Sequence, residues 1–171
     1  MLSQKKIESL LKKLNTKLKS RNERGEVGLV GGAVMCLVYN ARASTKDVDA
    51  IFEPSEIIRK LAAEIGEEES VPADWLNDGA KAYIQPQFQR QEVLNLSNLI
   101  VWAPEPKYML AMKCISARWD TSDKDDVIFL IKHLELQQAE GVFQIIEGFY
   151  PKSIIPSKTK FFIEEVFEDY L

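Results

Sequence analysis

Apolar residues in the first twenty positions fall at Ile7, Leu10, Leu11, Leu14 and Leu18, the spacing of one helical face, with lysines on the outer faces. The pattern predicts an amphipathic helix over residues 3–20, stopped by Gly25. Val27 to Val30 is a short apolar run that predicts a buried strand, Gly31-Gly32 a turn, and Ala33 to Tyr39 a helix packed on a sheet. From Lys46 to Phe52 the period shortens to two. Asp47, Asp49 and Ile51 then share one face of a strand, and Val48, Ala50 and Phe52 the other.

Pro54 and Ser55 predict a helix through about Glu64, and Ala73 to Ala80 a second short helix ending near Gly79. Val93 to Leu96 and Leu99 to Trp102 predict two further strands. After Pro104 the spacing is helical throughout: Lys107 to Arg118, Asp123 to Leu136, Gln138 to Gly148 and Lys158 to Tyr170. These elements predict an α+β (mixed α/β) fold, a small mixed sheet flanked by helices and followed by a helical C-terminal portion. The expected division is 1–103 for the α/β core and 104–171 for the helical portion, either packed on the core or continuous with it.

A length of 171 residues is about one domain's worth, and 46% apolar with 28% charged residues is the composition of a soluble globular protein. The longest apolar run, Ala33 to Tyr39, is far too short to span a bilayer, and the lysine-rich start is not followed by a signal-peptide core, so the expected place is the cytoplasm, with no membrane partner. Cys36 and Cys114 have no partner at metal-ligand spacing, and His133 is the lone histidine, which disfavours a histidine-based metal site or triad. The net charge of −4 argues against a dedicated nucleic-acid binder, yet residues 1–24 are basic. Two readings of that basic helix stand side by side: a solvated outer face, or a guide for an RNA end.

Chemistry enters with the two aspartates. Like charges on one strand face repel unless a cation sits beside them, and magnesium is usually held by one or two carboxylates together with substrate phosphates. Gly31-Gly32, ahead of a helix, allows the backbone to approach a phosphate closely, and Arg42 and Lys46 add positive charge. The plainer reading is a tight turn and the solvated face of an edge strand. Further on, Lys113 lies among Met109, Leu110, Met112 and Ile115, where it either snorkels or reaches a cleft; Ser122 and Asp125 have capping-box spacing.

The segment GGAVMCLVYNARASTKDVDAIF resembles the signature of the DNA-polymerase-beta-like nucleotidyltransferase superfamily: a glycine pair, a helix, then two acidic residues alternating with apolar ones. It is most similar to the small prokaryotic branch that includes abortive-infection and toxin–antitoxin nucleotidyltransferases, in which an Arg and a Thr, here Arg42 and Thr45, precede the aspartates. Residues 108–134 resemble the later motifs of that branch, on Lys113, Arg118, Asp123, Asp126 and Val127. The segment DWLND, Asp74 to Asp78, is also similar to uncharacterised members.

The resemblance implies a magnesium- or manganese-dependent transfer of a nucleoside monophosphate from an NTP to an RNA end, such as a tRNA, or to a protein hydroxyl. It also implies a place in a toxin–antitoxin or phage-defence system with a cognate partner. Asp47 and Asp49 would hold the metal; Gly31, Gly32, Arg42, Thr45 and Lys46 would bind nucleotide. Lys113 would neutralise the triphosphate, and Asp126 would orient or deprotonate the acceptor, or support Lys113. The chain departs from the superfamily in one respect. The strands expected beside the aspartates, VLNL and LIVWA, hold no third carboxylate, and Glu92 is the nearest acid. The alternative is therefore a nucleotidyltransferase fold that binds a nucleotide or a protein without turnover.

Overall fold

The computed structural model of the chain describes residues 1–85, 87–116 and 122–171. In order, the elements are β1 (Leu2–Ser3), α1 (Gln4–Ser20), β2 (Gly25–Leu29), α2 (Gly31–Leu37), β3 (Ser44–Thr45), β4 (Val48–Glu53), α3 (Ser55–Glu69), β5 (Leu76–Asn77), a 3-10 turn (Gly79–Tyr83), β6 (Arg90–Asn95), β7 (Leu99–Pro104), α4 (Pro106–Ser116), α5 (Asp123–His133), α6 (Ala139–Phe149), a second 3-10 turn (Lys152–Ile154) and α7 (Ser157–Tyr170). This is the mixed α+β fold the periodicities predict, with a helical C-terminal portion. Among the described residues no helix is long and apolar enough to cross a membrane.

The chain divides into two compact units, Met1–Ala82 with Arg90–Pro104, and Tyr83–Gln89 with Glu105–Leu171. In the first unit five strands run in the order β5-β4-β2-β7-β6, with β2 antiparallel to β4 and parallel to β7, and β4 parallel to β5. Val27, Leu29, Val48, Ala50, Leu99 and Val101 are buried on one face, with Leu10, Leu14 and Leu18 of α1 and Ile58, Leu61 and Ile65 of α3. The period-two reading of β4 holds from Val48 on: Val48, Ala50 and Phe52 are buried, whereas Asp49 and Ile51 are half-buried; Asp47, expected on the same face, lies in the bend before the strand. On that second face Gly28 pairs with Ile51 and with Trp102. The Trp102 ring lies directly on Gly28, where any Cβ would collide with it, and its Nε1–H donates to Glu26 Oε1 at 2.6 Å.

Several expectations are corrected. β4 begins at Val48 rather than Lys46, because Ser44–Thr45 pairs instead with Leu2–Ser3 in a separate two-stranded sheet. Ala73 to Ala80 does not form a helix. Its middle becomes β5, because the Val48 N–H donates to Trp75 O at 2.7 Å and the buried Trp75 donates to Ala62 O at 2.9 Å. Gly66 of α3 makes room for this: a Cβ there would stand 2.9 Å from Pro72 O and 3.0 Å from the Ala73 Cα.

The basic face of α1 has a partner that the sequence reading did not identify. α3 continues to Glu69, and its acidic end meets Lys6 (2.7 Å to Glu69), Lys13 (also on Glu69), Lys17 (2.7 Å to Glu68) and Arg21 (3.1 Å to Glu64). Hydrogen bonds from Lys13 and Lys6 draw the Glu69 carboxyl down to about 2. Because its folded value lies below the unfolded carboxylate value of about 4.3, its stabilising effect is complete above that pH and is lost as pH falls towards 2. Glu69→Gln is thus expected to melt below the native protein at pH 7, with the gap closing by pH 2. Thermal melts between pH 2 and 7 check this, and a gap that does not depend on pH contradicts it.

In the second unit Tyr108 of α4 is fully buried, with Phe88 stacked at 4.3 Å and Phe149 edge-on at 5.2 Å. Its hydroxyl accepts the Gln85 N–H at 2.6 Å. The Thr159 hydroxyl of α7 donates to Cys114 O of α4 at 3.2 Å, tying the two helices together through a buried polar contact.

Candidate functional site

β2 ends at Leu29, and Val30 N–H donates to Asp49 O at 2.9 Å, so the register of two strands sets Asp49 beside the glycine pair. Gly31 has φ +61°, a left-handed conformation that costs other residues roughly 1–2 kcal/mol. A Cβ on Gly31 would stand 3.1 Å from Asp49 Oδ2. At Gly32 a Cβ would lie 2.6 Å from Thr45 Oγ1 and 3.1 Å from Arg42 Nη1. Gly31 is thus required by backbone conformation and close approach, and Gly32 by close approach alone. The predicted turn is in fact the first turn of α2, and the N-cap residue Val30 offers no side-chain acceptor.

Gly31, Gly32, Arg42, Thr45 and Asp49 are therefore brought together. Thr45 is buried, while Arg42 is half-buried. Asp47 is half-buried in the bend between β3 and β4, two residues before Asp49, and Lys46 beside it is exposed. Among the described residues, no group of three or more His, Cys, Asp or Glu side chains gathers as a metal centre. Asp47 and Asp49, two residues apart in sequence, would suit magnesium or manganese shared with the phosphates of a substrate, for which one or two carboxylates suffice, rather than a closed all-protein site.

Lys113 and Asp126 lie in the second unit and meet there. Lys113 Nζ is 2.8 Å from Asp126 Oδ2 and 2.6 Å from Asp123 Oδ1. Lys113 and Asp126 are buried, with only 9% and 3% of their side-chain surface exposed. Lys113 is thus held in a two-carboxylate ion pair instead of snorkelling. The capping box is not formed: Ser122 adopts a helical backbone conformation, and its side chain makes no capping bond. Arg118 lies outside the described residues.

The strand beside β4, on the side away from β2, is neither of the two expected there. β7 pairs with β2, and Glu92 is on β6 at the far edge, where it accepts a hydrogen bond from Asn95 at 3.1 Å. The neighbour is β5, which sets Asn77 in register with Asp49. Sequence reasoning missed this residue because a two-residue strand has no period to read. Burial pushes the thiols of Cys36 and Cys114 up, so neither is a ready nucleophile. His133 is exposed and stacks on Phe129 at 5.8 Å.

The model of a family described as nucleotidyltransferase of unknown function (DUF6036) matches residues 5–150. The match spans both the glycine–aspartate cluster and the Lys113 ion pair. No curated protein and no solved structure matches the chain.

Proposed function

The chain belongs to this nucleotidyltransferase family, and from that premise we propose that it transfers a nucleoside monophosphate from an NTP to a hydroxyl acceptor at the Asp47–Asp49 site. The observation that carries the reading is the convergence of Gly31, Gly32, Arg42, Thr45 and Asp49 at the junction of β2 and β4. The glycine pair lets the side chains of Asp49, Thr45 and Arg42 close onto the backbone at that turn, which gathers polar and charged groups at one point. The Arg42 guanidinium supplies fixed positive charge, and Thr45 Oγ1 a hydrogen-bonding hydroxyl, on the same side. Lys46 adds a mobile charge at the rim.

Asp47 and Asp49 would hold magnesium or manganese, which when bound neutralises phosphate charge. The acceptor oxygen forms a bond to the α-phosphorus as the bond from that phosphorus to pyrophosphate breaks; the electron pair leaves on pyrophosphate, and the hydroxyl proton passes to solvent. Arg42 offsets the charge that grows on the leaving group. Of the roles open to Asp126 we adopt support of Lys113, on the strength of their 2.8 Å ion pair. A share of that pair in the chemistry rests on the resemblance alone.

The same resemblance supports an RNA end, such as a tRNA, or a protein hydroxyl as acceptor, and a cognate partner in a toxin–antitoxin or phage-defence setting. The experiment is transfer of α-phosphate label from each of the four NTPs to cellular RNA or protein by the purified chain. Label that appears with magnesium or manganese and stops on chelation supports the reading. No transfer under any metal condition rejects catalysis and leaves the binding-module alternative.

A further inference from the structure

β5 is only two residues long, yet it is firmly placed. Val48 N–H donates to its preceding residue, Trp75, at 2.7 Å, and Trp75 is 1% exposed with its indole N–H on Ala62 O at 2.9 Å. Val48 pairs with Leu76 and Asp49 with Asn77 in parallel register. Val48 and Leu76 are both buried, so the half-buried Asp49 and Asn77 share the opposite face. Neighbouring strands stand about 4.8 Å apart, which puts the Asn77 side chain beside the Asp49 carboxylate.

Asn77 is also oriented. Its Oδ1 accepts the Gly79 N–H at 2.9 Å, which fixes the amide plane and leaves the Nδ2 donors without a partner among the described residues. The order of the sheet gives this position its meaning. Asp49 has two strand neighbours: β2, which leads into the Gly31-Gly32 turn, and β5, which carries Asn77. Phosphoryl transfer is roughly in line, with attacking and leaving oxygens on opposite sides of phosphorus. If pyrophosphate leaves on the glycine side, the attacking hydroxyl enters on the β5 side.

We propose that Asn77, in register with Asp49, is the acceptor-side contact of the site, donating an Nδ2–H to the oxygen of the attacking hydroxyl. This rests on the nucleotidyl-transfer reading above. An amide takes no proton, so Asn77 orients the hydroxyl while its proton goes to solvent.

The test compares native protein, Asn77→Ala and Asn77→Asp in magnesium-NTP binding by calorimetry and in label transfer to cellular RNA or protein across pH. Asn77→Ala is expected to bind NTP within about twofold of native and to transfer roughly 100-fold more slowly, the loss typical of a misplaced reactant. Asn77→Asp keeps the acceptor for Gly79 N–H and adds a group able to take the hydroxyl proton. It should recover at least about tenfold over the alanine variant, with a new acid limb through the carboxylate range that the native profile lacks.

Transfer by Asn77→Ala at the native rate, or an Asn77→Asp profile that superimposes on the native one, overturns the assignment while the nucleotidyl-transfer reading stands. Native protein that neither binds NTP nor transfers label overturns that reading, and the role of Asn77 with it.

Discussion

Replacing Asp47 and Asp49 together by alanine is expected to lower nucleotide transfer at least about 1000-fold, roughly 4 kcal/mol in barrier, while the fold survives. Both carboxylates are half-buried, and the core contribution of β4 comes from Val48, Ala50 and Phe52 on the other face. Asp47 lies in the bend before β4 and Asp49 on its half-buried face, so neither fills the core and the double variant should stay folded. Such a divergence marks a site kept for its chemistry. Equal transfer by native and variant protein, followed with α-phosphate label, contradicts the assignment; so does a variant that loses activity only because it unfolds.

The second large effect concerns stability. Lys113→Ala is expected to destabilise the second unit by about 3–5 kcal/mol, because it leaves Asp126 buried at 3% exposure without the ammonium group that balances it. Hydrogen exchange of α4 and α5 reads this locally, which matters in a chain of two compact units where one global unfolding energy is poorly defined. Lys113→Met combined with Asp126→Leu should lose much less, since it replaces the two most buried charges together by apolar side chains and leaves only the more exposed Asp123. A single variant with unchanged exchange contradicts a structural role for the pair.

What the sequence revealed depended on whether a signal was periodic. The stripe Ile7, Leu10, Leu11, Leu14 and Leu18 marked α1, and the alternation from Val48 to Phe52 put Asp49 on the face of β4 opposite the buried Val48, Ala50 and Phe52. Local pattern failed where a distant contact decided. Ala73 to Ala80 looked helical, but Trp75 has its partners on α3 and β4, 13 and 27 residues earlier. That contact turns Leu76–Asn77 into a strand and moves Asn77 next to Asp49.

The α1 lysines read as a solvated face or an RNA guide because Glu64, Glu68 and Glu69 are some fifty residues further on; the structure pairs Lys6, Lys13, Lys17 and Arg21 with these acids. Lys113 among apolar residues suggested snorkelling, and the partner that buries it, Asp126, lies on the next helix. Of the candidate site, Gly31, Gly32, Arg42, Thr45 and Asp49 were legible as one motif and meet in space. Asn77 was not, because register between strands is a tertiary fact.

The most direct measurement is calorimetry of each magnesium-NTP with native protein and with Asp49→Asn. If Asp47 and Asp49 hold the metal that ties phosphates to the Gly31-Gly32 turn, the native protein binds at least one NTP only when magnesium is present, and Asp49→Asn loses that binding. Binding that is indifferent to magnesium, or undiminished in Asp49→Asn, would contradict the site.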